Sequence, residues 1–264
     1  MGEDWCSYTE NHIHVSFREV SDLKVEGKQQ AMASTNPLSE APRALLPSAD
    51  TPRSTADKVS TYIRTLIFHG HLKSGDRIRQ DELAETLDVS RIPVREAIIA
   101  LDREGWLTSE PHRGAFVNGL NRSGIEDHYQ LLAMLFGLVA QRASEHATPE
   151  DIERLIAQQN ALRAAQEPDD VRYENDKLVR LMFKIADSPR LSAVYRVMTG
   201  IVPGNFFAAV PGTIPDQKRA TARIVKAIAA HEPDRAAAEW SKLLKRHGQH
   251  VIALLTERNL LKVG

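Results

Sequence analysis

The stretch from Thr55 to Asn118 carries the pattern that most constrains the fold of this chain. Apolar residues recur there at spacings of three and four, which predicts a helix with one buried face. The positions are Val59, Tyr62, Ile63, Leu66 and Ile67. Gly70 ends this helix, a turn follows at 73–76, and a second short helix is expected over about 80–87. Two helices joined by a tight turn are therefore predicted.

A third helix is predicted to begin at Ser90, because serine favours the N-cap position. Pro93 falls in its first turn, where a missing N–H costs little, and Gly105 ends it. Two short strands are expected at 106–108 and 115–117, and the tip that joins them is expected at 111–114. The order helix, helix, helix, hairpin is that of a winged helix-turn-helix.

From residue 121 onward the sequence has helical periodicity throughout. The segments Thr148-Pro149-Glu150 and Glu232-Pro233-Asp234 are both typical of helix starts. Helices are expected at 122–146, 149–166, 171–187, 189–202, 213–230 and 233–259. We therefore predict a mainly α protein. Its parts are a winged helix-turn-helix with a small β-hairpin wing over 55–120 and an antiparallel all-helical bundle over 121–260.

Residues 1–54 differ in composition from the rest of the chain. They are rich in Ser, Pro, Thr, Asn and charge, with Pro37, Pro42, Pro47 and Pro52 in the later part. Such a composition predicts a disordered N-terminal extension. The alternative is that translation begins at Met32.

Charge and cysteine content exclude several classes of protein. The 264 residues hold 34 Lys and Arg against 35 Asp and Glu, so any charge that attracts a polyanion must be local. Cys6 is the only cysteine, which excludes an intramolecular disulfide and a cysteine-rich metal site. There is no apolar run near the roughly 18 residues of a membrane span, and no signal-peptide layout. We expect a cytoplasmic protein with no membrane partner.

Several segments, in this order, resemble the GntR family of bacterial transcription regulators. They are Leu72-Lys73-Ser74-Gly75-Asp76-Arg77-Ile78, Glu82-Leu83-Ala84, 89–98, Leu101, 104–107 and 113–117. The helical region that follows is similar to the FadR-type ligand-binding domain called FCD. Together the two resemblances cover about 55–260.

The resemblance implies which residues contact DNA. On the third helix these are Ser90, Arg91, Pro93 and Arg95, and at the wing tip they are Arg113 and Gly114. The chemistry agrees, because arginines four residues apart share a helix face and arginine pairs bidentately with guanine. A serine at a helix N-terminus can join backbone amides on a phosphate.

The net charge of this region does not by itself favour binding to DNA. Residues 55–118 hold nine Lys and Arg against ten Asp and Glu. Asp81 stands where some family members have a DNA-contacting arginine, so we expect that contact to be missing. Affinity then depends on two copies binding at once, which predicts a homodimer on a palindromic double-stranded DNA operator. The alternative is a solvated helix face, with its arginines paired to Asp88 or Glu96.

Many FCD domains hold a divalent metal with one Asp and three His. Alignment on residues 186–191 puts those ligands at Asn175, Val179, Thr221 and Leu243. Valine and leucine have no metal-binding atom, so we expect that the metal site of the family is lost and that there is no cofactor. His247 and His250 are expected to be solvated or capping.

In the same alignment, Leu132 and Phe136 occupy the positions at which the family often has two polar pocket residues. The expected pocket lining is Leu132, Phe136, Asn175, Val179, Met182, Thr221 and Leu243. One interpretation is a filled core without a ligand. The other is an apolar cavity with a few polar groups, which favours a fatty acid, acyl-CoA or other lipid-like effector and control of lipid uptake or metabolism. The resemblance favours a repressor.

Other functions find less support in the sequence. It contains no glycine-rich phosphate loop, nucleophile elbow or His-Glu-x-x-His segment, so we predict no enzyme. A metal-dependent carboxylate-sensing regulator and a DNA-binding protein without an effector are the remaining alternatives.

Overall fold

The computed structural model describes residues 54–198 and 200–262. The expectation of disorder for the N-terminal extension lies outside the described residues, apart from Ser54. The described chain forms two compact units. One extends to Leu120, and the other holds Asn121–Ile201 and the residues from Asn205 onward.

The first unit contains three helices and three strands in the order α1, β1, α2, α3, β2, β3. Their bounds are α1 Thr55–Phe68, β1 Arg77–Ile78, α2 Gln80–Thr86, α3 Arg91–Arg103, β2 Leu107–Glu110 and β3 Gly114–Val117. The strands form an antiparallel sheet in the order β1-β3-β2, in which Leu107 lies opposite Val117. The predicted winged helix-turn-helix is confirmed.

Strand β1 was not predicted. It has only two residues, so it shows no alternation, and it pairs with β3 through Arg77 opposite Phe116 and Ile78 opposite Ala115. Helix α1 begins at the N-cap Ser54, whose hydroxyl accepts a hydrogen bond from the backbone N–H of Asp57 at 3.1 Å. The core of the unit contains the buried aromatic side chains of Tyr62 and Phe68 together with fully buried aliphatic ones, including Val59, Ile63, Leu66, Leu83, Val94, Ala97 and Leu101.

The second unit is entirely helical apart from its loops. Its helices are α4 Arg122–His146, α5 Pro149–Ala164, α6 Pro168–Ala186, α7 Pro189–Val197, α8 Phe206–Ala209, α9 Thr213–Ala229 and α10 Pro233–Glu257. The single-turn α8 lies in an apolar segment that the sequence did not mark as a helix. The predicted helical C-terminal region is confirmed.

Two long helices, α4 and α10, form the centre of this unit. Small residues let them approach closely: a Cβ on Gly137 would lie 3.5 Å from the Cβ of Ala237, and one on Gly248 would lie 3.1 Å from Cδ2 of Tyr129. The ring centroids of Phe136 on α4 and Trp240 on α10 are 4.5 Å apart. Among the described residues, no helix is both long and apolar enough to cross a membrane.

Candidate functional site

Helix α3 presents two arginines to solvent from its first turns. Arg91 and Arg95 are both exposed, whereas Val94, Ala97 and Leu101 on the opposite side are buried in the core. Burial of that side fixes the rotation of the helix, and the two guanidinium groups therefore share the outward face. Such a face can enter a DNA groove without rearrangement of the core.

Ser90 and Pro93 lie at the start of this helix. Ser90 occupies the N-cap position with an extended backbone, as predicted, but its side chain makes no capping hydrogen bond. Its exposed hydroxyl and the first backbone N–H groups of α3 are thus available to an outside acceptor such as a phosphate. Pro93 is half-buried in the first turn.

Arg91 forms an ion pair that the sequence did not reveal. Its Nε lies 2.7 Å from Oδ1 of Asp81 on helix α2, with the two side chains 65% and 71% exposed. The sequence had suggested Asp88 or Glu96 as a partner and had given Asp81 only a repulsive role. A carboxylate on Nε restrains the guanidinium and leaves its terminal NH₂ groups free to donate elsewhere.

The wing carries Arg113 at its tip. This side chain pairs with Glu110, and its guanidinium carbon lies 5.6 Å from the ring centroid of Phe116. Gly114 opens strand β3 with φ 103°, a conformation that side chains rarely adopt, and a Cβ there would lie 3.1 Å from Nε of Arg77. The backbone therefore requires a glycine at this position, whether or not it touches DNA.

Two isoleucines on the outer face of α3 were missed in the sequence analysis. Ile92 is 69% exposed and Ile99 is 52% exposed, on the same side of the helix as the two arginines. The signal was present, because an apolar residue breaks the polar outer face of an amphipathic helix. An apolar side chain there is suited to contact with a thymine methyl group.

The four family metal positions lie on α6, α9 and α10. Val179 and Leu243 are buried hydrocarbon. Asn175 accepts a hydrogen bond from Nε2 of Gln217 at 2.6 Å, and the buried Thr221 donates its hydroxyl to the Gln217 carbonyl at 2.8 Å. Val179 and Leu243 carry no metal-binding atom, and the side-chain oxygens of Asn175 and Thr221 are engaged in these hydrogen bonds. No cluster of three or more His, Cys, Asp or Glu suited to a metal occurs in the described part of the chain.

The remaining pocket residues lie on α4 and α6. Met182 is buried and Leu132 is half-buried. Phe136 packs edge-on against Phe183 and Tyr195, at centroid distances of 5.7 and 5.4 Å, and also against Trp240. The structure thus gathers Phe136 into an aromatic cluster, while Asn175 and Thr221 are joined through Gln217.

The expectation for the last two histidines was wrong for His247. Its side chain is buried beside the ring of Phe206, with centroids 4.8 Å apart, and its Nε2 has no hydrogen-bond partner in the part of the chain that the structure describes. Burial, with a smaller contribution from His250, lowers the pKa of His247 to about 3, so the ring is neutral. The sequence could not show this, because histidine is intermediate in its tendency to be buried and the face of α10 that packs inward depends on the neighbouring helices.

His250 and Asp216 form a charged network next to it. Nε2 of His250 lies 3.0 Å from Oδ2 of Asp216, and Arg219 and Arg246 contact Oδ1 of the same carboxylate at 2.6 and 3.3 Å. Burial alone would raise the pKa of Asp216, but hydrogen bonds from His250 and Arg219 hold it below its ordinary value. His250 is therefore engaged in an ion network, not solvated or capping.

A three-helix unit with a β-wing and an outward arginine-bearing helix defines a winged helix-turn-helix DNA-binding transcription regulator. Family comparison makes this specific. The model for bacterial regulatory proteins of the gntR family matches residues 55–117, and the model for the FCD domain matches residues 127–246. Residues 55–117 thus form a GntR-type DNA-binding domain and residues 127–246 an FCD domain, which makes the chain a transcription regulator of GntR type.

Curated relatives are named as regulators. A Mycobacterium tuberculosis protein, "Uncharacterized HTH-type transcriptional regulator Rv0043c", is 29% identical over 208 residues, which span 78% of this chain and 84% of that protein. The "Nta operon transcriptional regulator" of Aminobacter aminovorans is 39% identical over 82 residues, 31% of this chain and 39% of that protein.

Solved structures share the fold. E. coli McbR/YncC superposes with a TM-score of 0.52 at 20% identity, covering 78% of this chain and 99% of that chain. A structure described as Lar of Listeria monocytogenes gives a TM-score of 0.52 at 14% identity, covering 77% of this chain and 99% of that one. At such identities the likeness concerns the fold alone.

Proposed function

We propose that this regulator represses transcription as a homodimer on a palindromic operator, and that a small apolar effector bound in the FCD unit releases it. The observation that carries the DNA-binding part is the pair of exposed arginines, Arg91 and Arg95, on the outward face of α3. An exposed arginine on such a helix can contact guanine bidentately in the major groove. We expect Arg113 on the wing to contact the minor groove.

The effector part is supported by the chemistry of the FCD interior. Hydrocarbon stands at two of the four family metal positions, and the neighbouring residues are aromatic. Among the described residues, the buried side-chain nitrogens on α10 that lack a hydrogen-bond partner are Nε1 of Trp240 and Nε2 of His247. They lie two turns apart on α10, on either side of Leu243. A fatty acid or acyl chain would suit the apolar lining, and a polar head beside one of these nitrogens would supply its missing partner.

The DNA-binding proposal is tested by selecting the protected sequence from random DNA and measuring gel shifts on it. Arg91→Ala and Arg95→Ala are each expected to weaken specific binding by at least tenfold, about 1.4 kcal/mol or more, because each removes one bidentate base contact. Arg103→Ala, at the far end of the same exposed face, is the matched control. Unchanged specific binding by both variants would contradict the assignment.

The effector proposal is tested by thermal shift and by release of the operator. Long-chain fatty acids and acyl-CoA are expected to stabilise the protein and to lower operator affinity, because the ligand must favour one arrangement over the other. Citrate, lactate and zinc serve as comparisons. Stabilisation by citrate with zinc alone would favour a metal-dependent carboxylate sensor. No response to any compound would favour a DNA-binding protein without an effector.

A further inference from the structure

The exposed large apolar side chains of the first unit are confined to helix α3. In the described part of that unit they are Ile92 and Ile99, which are 69% and 52% exposed. Single exposed apolar residues are common on protein surfaces, so exposure alone indicates nothing. Both isoleucines, however, stand on the helix whose arginines face outward, and side chains so exposed contribute little to the core. Folding of the unit therefore does not account for them.

Ile92, Arg95 and Ile99 lie along one line on the surface of α3. Their spacings of three and four residues make them neighbours on the side of the helix away from the buried Val94 and Leu101. Arg95 is exposed and has no ion-pair or hydrogen-bond partner among the described residues. This face of the helix thus presents a guanidinium group flanked by two apolar groups.

The major groove of DNA offers groups that match such a face. Guanine presents the acceptors N7 and O6 to an arginine, and thymine presents a C5 methyl group that the other three bases lack. A partner protein would have to supply an acceptor set between two apolar contacts at this spacing. A thymine beside a guanine supplies the acceptors and the apolar group as ordinary features of the groove, and the phosphates attract the neighbouring cations.

The positions along α3 distinguish the two isoleucines. A recognition helix contacts base edges mainly with residues of its N-terminal part. Ile92 and Arg95 are separated by about 4.5 Å along the helix axis, which is close to the roughly 3.4 Å between successive base pairs. Ile99 lies about 10 Å beyond Ile92, in the later turns of the helix. Ile92 is therefore the isoleucine that fits a base next to the one contacted by Arg95.

We propose that Ile92 is a specificity-determining residue, and that it packs against the C5 methyl group of a thymine next to the guanine contacted by Arg95. Such a contact selects thymine over cytosine, because cytosine has only a hydrogen at C5. The same methyl group is present in 5-methylcytosine, so methylation of a cytosine at this position is expected to strengthen binding. The inference rests on the proposed function, since it requires α3 to enter the major groove.

The first test replaces the thymines of the operator by uracil one at a time, which removes only the methyl group. The operator is the sequence that the full chain selects from random DNA, and fluorescence anisotropy measures the affinity for each duplex. In the wild type, uracil at one thymine of each half-site is expected to weaken binding about threefold to tenfold, because one buried methyl contact is lost. Ile92→Ser is expected to bind the thymine and uracil duplexes equally at that position.

Ile99→Ser is the matched control, because it makes the same change two turns further along the exposed face of α3. It is expected to keep the wild-type preference for thymine over uracil. Thermal unfolding verifies that each variant is folded, and affinity for a scrambled duplex verifies that charge-driven binding is retained. If uracil weakens binding by Ile92→Ser as much as by the wild type, or weakens neither, Ile92 does not recognise a methyl group.

The second test adds a methyl group instead of removing one. With a C·G pair at the same position, methylation of cytosine C5 is expected to strengthen binding by the wild type several-fold and to leave binding by Ile92→Ser unchanged. No gain in the wild type, or an equal gain in the variant, overturns the proposal.

The outcomes separate this inference from the proposed function. If Arg95→Ala loses specific binding while uracil and 5-methylcytosine change nothing, the DNA-binding regulator stands and methyl recognition by Ile92 is refuted. If the full chain selects no sequence from random DNA, the proposed function fails and this inference fails with it.

Discussion

Arg91 shows how one residue takes its role from another helix. Its guanidinium is exposed and would sample many rotamers if it were alone, but Asp81 on α2 contacts its Nε. A surface ion pair of this kind contributes little to stability, about 0–1 kcal/mol. We expect its effect to be on orientation, since an arginine that is restrained before binding loses less conformational freedom when it contacts a base.

Asp81→Asn tests this orienting role. The substitution removes one negative charge near the DNA, so affinity for unrelated DNA is expected to rise about threefold to tenfold. Specific affinity is expected to rise less, because Arg91 is no longer restrained, and the ratio of specific to non-specific binding falls. Fluorescence anisotropy with operator and scrambled duplexes measures both.

Asp88→Asn is the matched control for that experiment. It removes an equal charge from an exposed residue next to α3, and asparagine tolerates the local φ of 51°. It is expected to raise both affinities alike. If the two variants give the same specificity ratio, Asp81 has no orienting role.

His247 makes the stability of the FCD unit sensitive to acid. Its pKa is about 3 in the folded protein and near 6.5 in the unfolded chain. Between pH 3 and pH 6.5, His247 is therefore protonated in the unfolded chain but neutral in the folded protein. Stability is therefore lost as pH falls through 6.5, by about 1.4 kcal/mol per pH unit from this group.

His247→Leu is expected to remove that slope. Between pH 6.5 and 5 the free energy of unfolding should fall by about 2 kcal/mol less in the variant than in the wild type, as measured by urea denaturation. Asp176, whose pKa burial raises to about 6 against opposing effects of Arg172 and Arg180, acts in the other direction but is present in both proteins. His146→Leu, on the surface of α4, is the control. If the free energy of unfolding depends on pH in the same way in His247→Leu and in the wild type, His247 is not the cause of the acid sensitivity.

At the scale of elements, the wing depends on one backbone conformation. Gly114 opens β3 with a positive φ, immediately after the tip that carries Arg113. Gly114→Ala is expected to cost about 1 kcal/mol and also to weaken operator binding, because strain at this point changes the direction of the wing. Thermal unfolding and gel shifts report the two effects separately.

Gly105→Ala offers a comparison for the wing. Gly105 also has a positive φ, but open space surrounds its missing Cβ and it lies between α3 and β2. A similar loss of stability with unchanged DNA affinity is expected. Equal losses of affinity in the two variants would show that general destabilisation, not wing geometry, is responsible.

The elements that could be predicted are those specified by local signals. Helices α4, α5 and α10 begin at the predicted residues because Asn121, Thr148 and proline at the first helical position act within a few residues of each start. Strand β1 escaped prediction because its pairing partner is distant in sequence. The partner of Arg91 and the burial of His247 escaped for the same reason: each depends on how separate helices pack.

At the scale of the whole molecule, near-neutral charge limits what a single copy can do. With 34 basic and 35 acidic side chains, long-range attraction to DNA is weak, and binding depends on a few placed cations. In the proposed dimer, each copy contributes one such set of cations. Once one copy has bound its half of the operator, the dimer holds the second copy near the other half and so raises its effective concentration there.

A half-site experiment tests this dependence. A duplex with one half of the palindrome is expected to bind at least a hundredfold more weakly than the whole operator. The slope of log affinity against log salt should be roughly half as steep, because half as many counterions are released. Scrambling one half without changing the length of the duplex is the control for size. Equal affinity for half and whole operators would show that the copies act independently.

The ion pair between α2 and α3 has a consequence for how such regulators diverge. The side chain that would touch the base and the side chain that holds it are encoded ten codons apart and lie on different helices. A change at Asp81 can therefore alter operator preference while Arg91 stays the same. After gene duplication, two copies could come to recognise different promoters through mutation of a residue that never contacts a base.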